Sequence, residues 1–364
     1  MSVRILLAAL GLTVAVLPAL AESPRVTAEQ QAVFARFQQL AEQGNSKATW
    51  EQGHFYLGDL VGPKDQAAYE RYMRKAAEEG YPFAQFELGM ALQKSDPADS
   101  LNWLLKSAQT GNEMAQLAAA TAFYNGQGTD KNPILAYGWY KVIVQTQTSP
   151  GDGMVTMARA QTQTIAKRLS SDEITSADFT AADLKAHIAN PAEAQIKAEE
   201  AVIFEQMRDL AQQGNSVAQY RLGGLYTSGQ GVAADPAASF SWYSKSAENG
   251  YIYAEISVGD AYAAGRGVDK DEGQALAHYR KAADRGNPDA EIQVGDAYRN
   301  GKGVAQNNAE AYFWISLAVQ NMADNPRKLQ TYRTFPDAVA KTLSRDVIAE
   351  QDARRKAWTP VEAN

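Results

Sequence analysis

The sequence predicts an all-α solenoid of helix-turn-helix repeats in two duplicated arrays, and three observations carry that prediction. One stretch is written three times at a spacing of 36 residues: "GNSVAQYRLGGLYTSGQGV" from Gly214, "GYIYAEISVGDAYAAGRGV" from Gly250 and "GNPDAEIQVGDAYRNGKGV" from Gly286. An eroded form of the same unit runs earlier in the chain, marked by Gly44, Gly80 and Gly111. The two triplets superpose: Gly44 and Gly80 match Gly214 and Gly250 at an offset of 170, while Gly111, Gly128 and Trp139 match Gly286, Gly303 and Trp314 at 175. The difference is a loop shortened near "QKSDPADS", and "LSSDEI" from Leu169 is echoed as "LSRDVI" from Leu343. A fixed period of this length belongs to stacked units, none of which buries its apolar face alone.

In chain order, Arg4 precedes a 13-residue apolar run, Ile5 to Leu17, and then Ala19, Leu20 and Ala21. This pattern predicts a signal peptide over residues 1–21, so the mature chain is expected to be periplasmic or secreted. The run is shorter than the roughly 20 apolar residues of a spanning helix, so no membrane insertion is expected after cleavage. There is no cysteine, which excludes disulfides, thiolate metal sites and a lipid-modified cysteine. Without the leader, 34 Lys and Arg face 42 Asp and Glu, a net charge of −8 that argues against nucleic acid and anionic lipid as partners.

Residues 22–145 read as the first array, 146–200 as capping and connecting helices, 201–320 as the second array and 321–364 as C-terminal capping helices. Within a unit, Ala218, Leu222 and Tyr226 form one helical stripe, with Gly223 beside it where a neighbouring helix approaches closely. Ala254, Val258, Gly259 and Tyr262 repeat the pattern, as do Ala290, Val294, Gly295 and Tyr298. The pair Gly229 and Gly231 ends the first helix, and Phe240, Tyr243 and Ala247 mark the packed face of the second. Between the arrays, "ARAQTQTIAKRL" and "AADLKAHI" have helical composition and "NP" at Asn190 interrupts them.

An Ala followed by Leu-Gly, a Tyr, a Gly-x-Gly-Val loop and then "WYSKSAENG" or "HYRKAADRG" resembles the Sel-one-like repeat, a relative of the tetratricopeptide repeat. The resemblance is close over 203–320 and eroded over 34–145, where "DLVGP" replaces the glycine loop and Ala120 and Phe123 stand for the Gly and Tyr. It implies a right-handed α-solenoid and a non-enzymatic, protein-binding role. Exported members of the family assemble envelope complexes, restrain sensor proteins or neutralise toxins as immunity partners, antibacterial phospholipases included. The expected partner is therefore another protein, either a secreted toxin or an envelope complex. An envelope scaffold for cell-wall or motility machinery is the alternative, and a hydrolase acting on cell-wall fragments a weaker one.

The residues that look chemically active mostly belong to the repeat pattern. Asp260 and Asp296 sit at the same place in successive "VGDAY" motifs, one repeat apart rather than across a shared substrate. His54, His187 and His278 are scattered, and His278 takes the place of Trp242 and Trp314, which predicts a packing aromatic rather than a metal ligand. The Gly-x-Gly loops lack the Gly-Lys-Ser/Thr ending of a phosphate cradle, and neither a Gly-x-Ser-x-Gly elbow nor a His-Glu-x-x-His helix occurs. No catalytic residue, metal or cofactor is expected. The letters that vary at fixed repeat positions predict the binding surface: Gln219, Arg221, Glu255, Asp260, Glu291, Asp296 and Arg299. Taken as a solvent-facing stripe with an acidic centre, they lead to the expectation that reversing Glu255 and Glu291 leaves the fold intact.

Overall fold

Asn and Asp side chains set the start of most of the paired helices, because the first amides of a helix have no partner within it; Tyr81 and Tyr251 stand at two starts without a side-chain cap. Asn45, Asn112, Asn215 and Asn287 cap first helices through Oδ1, and Asp65, Asp96, Asp235, Asp271 and Asn307 cap second helices in the same way. The computed structural model describes residues 27–57, 64–146, 153–188, 190–323 and 325–361. The expected signal peptide and the "DLVGP" loop lie outside them.

The described residues form nineteen α-helices and no strand. The first array opens with α1 (Ala28–Glu42). Three pairs follow: α2 (Ser46–Phe55) with α3 (Gln66–Glu78), α4 (Pro82–Leu92) with α5 (Pro97–Gln109), and α6 (Glu113–Asn125) with α7 (Pro133–Thr146). Helices α8 (Gly153–Ala166) and α9 (Ser171–His187) close this array against α7, burying Ala158, Ile165 and Ala177 beside Trp139. The second array opens with α10 (Asn190–Gln212) and pairs α11 (Ser216–Ser228) with α12 (Pro236–Glu248), α13 (Ile252–Ala264) with α14 (Glu272–Asp284), and α15 (Pro288–Asn300) with α16 (Asn308–Asn321). Its cap is α17 (Pro326–Tyr332), α18 (Phe335–Ala340) and α19 (Arg345–Ala357), with Arg354 of α19 lying 3.9 Å over the Phe313 ring of α16. The echo of Leu169 at Leu343 is thus a second cap helix laid on the last pair. One expected boundary moves, because α10 runs unbroken through residue 200 and its C-terminal half is the opening helix of the second array.

The glycines divide two tasks. Gly229 takes φ +73° as a left-handed cap, and a Cβ on Gly231 would collide with the carbonyl of Glu200 in α10. Gly128, Gly267 and Gly303 press in the same way on the first residues of α5, α12 and α14, so each loop rests on the second helix of the unit before it. Inside the helices, a Cβ on Gly223 would lie 2.7 Å from Tyr243 Cδ1 and one on Gly259 2.6 Å from Tyr279 Cε1. Tyrosine and glycine are therefore two halves of one close contact.

The two arrays do not simply follow one another. Helices α1 and α2 pack against α10 and α11, and Val33, Phe37, Leu40 and Phe55 share one buried cluster with Ile203, Met207, Leu210 and Leu222. The contacts are reciprocal. Asn45 Nδ2 donates to the Glu199 carbonyl at 3.1 Å, and Ser46 Oγ and the Lys47 amide donate to the Glu199 carboxylate at 2.8 and 3.0 Å. One duplication away, Asn215 Nδ2 donates to the Glu29 carbonyl at 3.0 Å, and the Ser216 hydroxyl and amide donate to the Glu29 carboxylate. Each array thus places a carboxylate at the positive N-terminus of the other array's first helix. Where a position meets its own duplicate, Arg221 NH1 lies 3.1 Å from Glu51 Oε2, and the guanidinium covers Phe55 at 4.4 Å. This is a pseudo-two-fold seam, self-complementary as in an isologous dimer.

Two expectations follow for stability. Gly259→Val forces a branched side chain into the Tyr279 ring, and chemical denaturation should show a loss of about 1–3 kcal/mol; an unchanged midpoint would mean that the contact is slack. Arg221→Glu sets two carboxylates against each other in the seam and should cost roughly 1–3 kcal/mol. The swap Glu51→Arg with Arg221→Glu should recover most of that loss, and a swap no better than the single variant would remove the ion pair from the account.

Candidate functional site

A polar residue recurs at one position of every first helix, and it is not on the surface. Gln85, Gln116 and Gln219 donate Nε2 to the carbonyl eight residues earlier, Ala77 at 3.1 Å, Ala108 at 3.3 Å and Ala211 at 3.1 Å. Gln219 also accepts from Asn249 Nδ2 at 2.8 Å. Glu255 and Glu291 occupy this same buried position. The solvent-facing stripe expected of Gln219, Glu255 and Glu291 is therefore corrected: all three are buried and tie a first helix to the second helix of its own unit, and Gln219 also ties it to the end of the helix before it.

The two glutamates meet different surroundings. Glu255 accepts from His278 Nδ1 at 2.6 Å and lies 3.7 Å from Lys281 Nζ. His278 packs on Tyr262 with ring centroids 5.7 Å apart, as its place in the repeat predicts. Glu291 is 0% exposed; one oxygen accepts from Asn321 Nδ2 at 2.7 Å and the other has no partner among the described residues. Burial, opposed by the Asn321 bond, pushes its carboxyl up to about 8. A protonated carboxyl can donate, as the glutamines in the equivalent units do.

The other four expected residues separate. Asp260 accepts from Tyr279 Oη at 2.7 Å, Asp296 pairs with Arg299 at 2.8 Å on the same helix, and Arg221 belongs to the seam. All four stay partly accessible, but they do not form one continuous acidic stripe.

Two features were missed by reading polarity alone. In the first array, Glu87 of α4 accepts from Trp50 Nε1 at 3.0 Å and Tyr69 Oη at 3.4 Å and lies 3.6 Å from His54 Nε2, joining α2, α3 and α4. Burial works against charge in both partners. The hydrogen bonds from His54, Trp50 and Tyr69 nonetheless hold Glu87 below its usual value, and those to Glu87 and the Trp50 carbonyl hold His54 above its own. The second feature is a set of large apolar residues at the third place after the glycine that ends each unit. Phe83, Met114 and Tyr253 stand there 48%, 51% and 43% exposed. The same place is filled by Lys47 and Val217 in the first units of the two arrays, where the seam buries it. Among the described residues no group of three His, Asp or Glu side chains is placed to hold a metal, and no helix is long and apolar enough to cross a membrane.

A family model of the Sel1 repeat matches residues 53–81, 82–112, 114–141, 216–251, 252–287 and 288–321, more than half of the chain. The chain belongs to the Sel1 repeat family. The matched segments fall on the six helix pairs, the first of them starting within α2. Among solved structures the chain is similar to a protective antigen present in uropathogenic Escherichia coli strains and displaying an SLR fold. That likeness has 23% identity, 90% of each chain covered and a TM-score of 0.29. It is also similar to a Sel1 repeat protein from Oxalobacter formigenes, with 20% identity, 73% of this chain and 93% of that one covered and a TM-score of 0.31. No curated protein matches significantly. Sel1 repeats are generally protein-interaction scaffolds, typically without enzymatic activity.

Glu291 generates a pH prediction. Its folded value lies above the unfolded one, so its contribution is fully present below about pH 4.5 and is lost as pH rises towards about 8. Glu291→Gln, which supplies the amide of the equivalent units, should remove that part of the slope and raise stability at pH 8 by on the order of 1–3 kcal/mol. Denaturation of both proteins at pH 5 and pH 8 measures it; parallel losses in wild type and variant would show that Glu291 is not the titrating group.

Proposed function

We propose that this Sel1 chain is an exported, non-enzymatic binding protein of the periplasm whose partner is another protein. The observation that carries the reading is the position shared by Phe83, Met114 and Tyr253. The chain itself uses that position as an interface at Lys47 and Val217, and carries exposed apolar residues there at Phe83 and Tyr253 in the units that flank the seam and at Met114 one unit further on. Exposed apolar residues continuous with a built interface are the surface features that protein partners cover.

The proposal has a finer form: neutralisation of an antibacterial effector, such as a phospholipase, before it reaches its substrate. The acidic balance of the chain favours a basic partner. Affinity capture from a periplasmic extract, followed by mass spectrometry, tests both levels. One stoichiometric partner is expected, and an effector whose activity falls on binding supports the finer form. Recovery of cell-wall or motility machinery instead would replace neutralisation by scaffolding. Phe83→Ser with Tyr253→Ser should reduce capture at least tenfold while changing stability by roughly 1 kcal/mol or less. Capture that survives the double substitution moves the binding surface elsewhere, and residues 1–21 retained in the soluble protein would overturn export.

A further inference from the structure

The two copies of the duplicated seam differ in the side chains they place beside it. Beside the seam, in the second array, lies a cavity of about 300 Å³ lined by Tyr220, Tyr243, Tyr251, Gly224 and Leu225 and by the Arg221–Glu51 pair. The duplicate positions of the first array carry Trp50 for Tyr220 and His54 for Gly224, and the Trp50 and His54 rings pack together at 4.2 Å.

Gly224 is the residue that keeps the space. Glycine inside a helix is destabilising relative to alanine, so it calls for a reason. Gly223 has one in the Tyr243 ring. Gly224 has none of that kind: a Cβ there would meet only Tyr243 Oη, at an ordinary 3.6 Å. The other units hold side chains at this position, namely His54, Met90, Thr121, Asp260 and Asp296. Only this unit leaves it empty, and it does so at the wall of the cavity.

We infer that this cavity is a binding site for one aromatic ring with a polar edge, presented as a tyrosine or tryptophan side chain by the partner protein. The inference rests on the protein-binding reading above and names where the partner is anchored. The volume lies at the low end of the roughly 300–1,000 Å³ of small-ligand sites, enough for a single ring system. The rings of Tyr220, Tyr243 and Tyr251 offer edge and face contacts, and their hydroxyls offer hydrogen bonds to the ring's polar edge. The one positive and one negative charge in the wall already neutralise each other, so the guest carries no charge. The aromatic surface also continues outward: Tyr220 to Tyr251 is 5.1 Å and Tyr251 to Tyr253 is 5.5 Å between centroids, and Tyr253 reaches the exposed face. A guest attached to a protein surface would run along that strip.

The test uses the full chain and needs no partner. Indole and the blocked tripeptide Gly-Trp-Gly are titrated by saturation-transfer NMR, with cyclohexanol as the non-aromatic control. Indole should bind with a millimolar Kd, the tripeptide at least as tightly, and the control at least tenfold more weakly. Gly224→Leu and Gly224→His, the latter being the side chain of the first array, should each weaken both aromatic probes at least tenfold without lowering Tm. Gly224→Ala, whose methyl fits, provides a folded variant with a smaller loss. Ring binding undiminished by these substitutions, or no binding of either probe to the wild type, would overturn the assignment. Binding of indole but not of the tripeptide would overturn the partner side chain as its source and leave a site for a free small aromatic. Partner capture without ring binding sinks this inference alone, and ring binding without partner capture sinks the protein-binding reading.

Discussion

Two carboxylates, Glu29 and Glu199, hold the molecule together by each completing the other array's first helix. Asn45 and Asn215 take part twice: Oδ1 caps their own helix, and Nδ2 reaches across to the opposite chain segment. A solenoid built of nearest-neighbour contacts has two frayed ends. Here the opening helices α1 and α10 cover each other's array, and the outer ends are closed by α9 and α19. The reciprocity places the ion pair of Arg221 and Glu51 where a position faces its own duplicate, so the charge difference between the two copies becomes an attraction.

Duplication supplies the scaffold, and departures from it supply the candidate function. Trp50 and His54 pack on each other at the positions where, one duplication away, Tyr220 and Gly224 line a cavity. Phe83 and Tyr253 are duplicates that keep the same exposed character, whereas Asp289, at the same place of the last unit, pairs with Lys328 of the cap. The last pair is closed by charge and the flanking units are left apolar.

Much of the fold was legible in the letters. Glycine spacing, the close helix approach at Gly223 and Gly259, the two cap helices and the six pairs all follow from residues whose role is steric and local, although the rings that meet those glycines are Tyr243 and Tyr279 of the second helices rather than the tyrosines of the same stripe. The burial of Gln219, Glu255 and Glu291 was not, because polarity was taken as exposure. Its signal was present: Gln85, Gln116 and Gln219 recur at one repeat position, and a polar residue that recurs in register is as much part of the packing as a glycine. The seam was hidden for a different reason. Phe37, Ile203 and Met207 read as apolar faces of opening helices, and only the fold reveals that each array's opening helix finds its cover in the other array.

The central claim is that the seam turns two arrays into one body, and hydrogen exchange measured helix by helix tests it most directly. In a simple solenoid α1 would be a terminal helix and exchange early. The seam predicts that residues 33–42 of α1 exchange as slowly as the interior helix α13, and that Glu199→Ala accelerates α2 while Glu29→Ala accelerates α11. Early exchange of α1 in the wild type, with α10 and α11 still protected, would contradict the account.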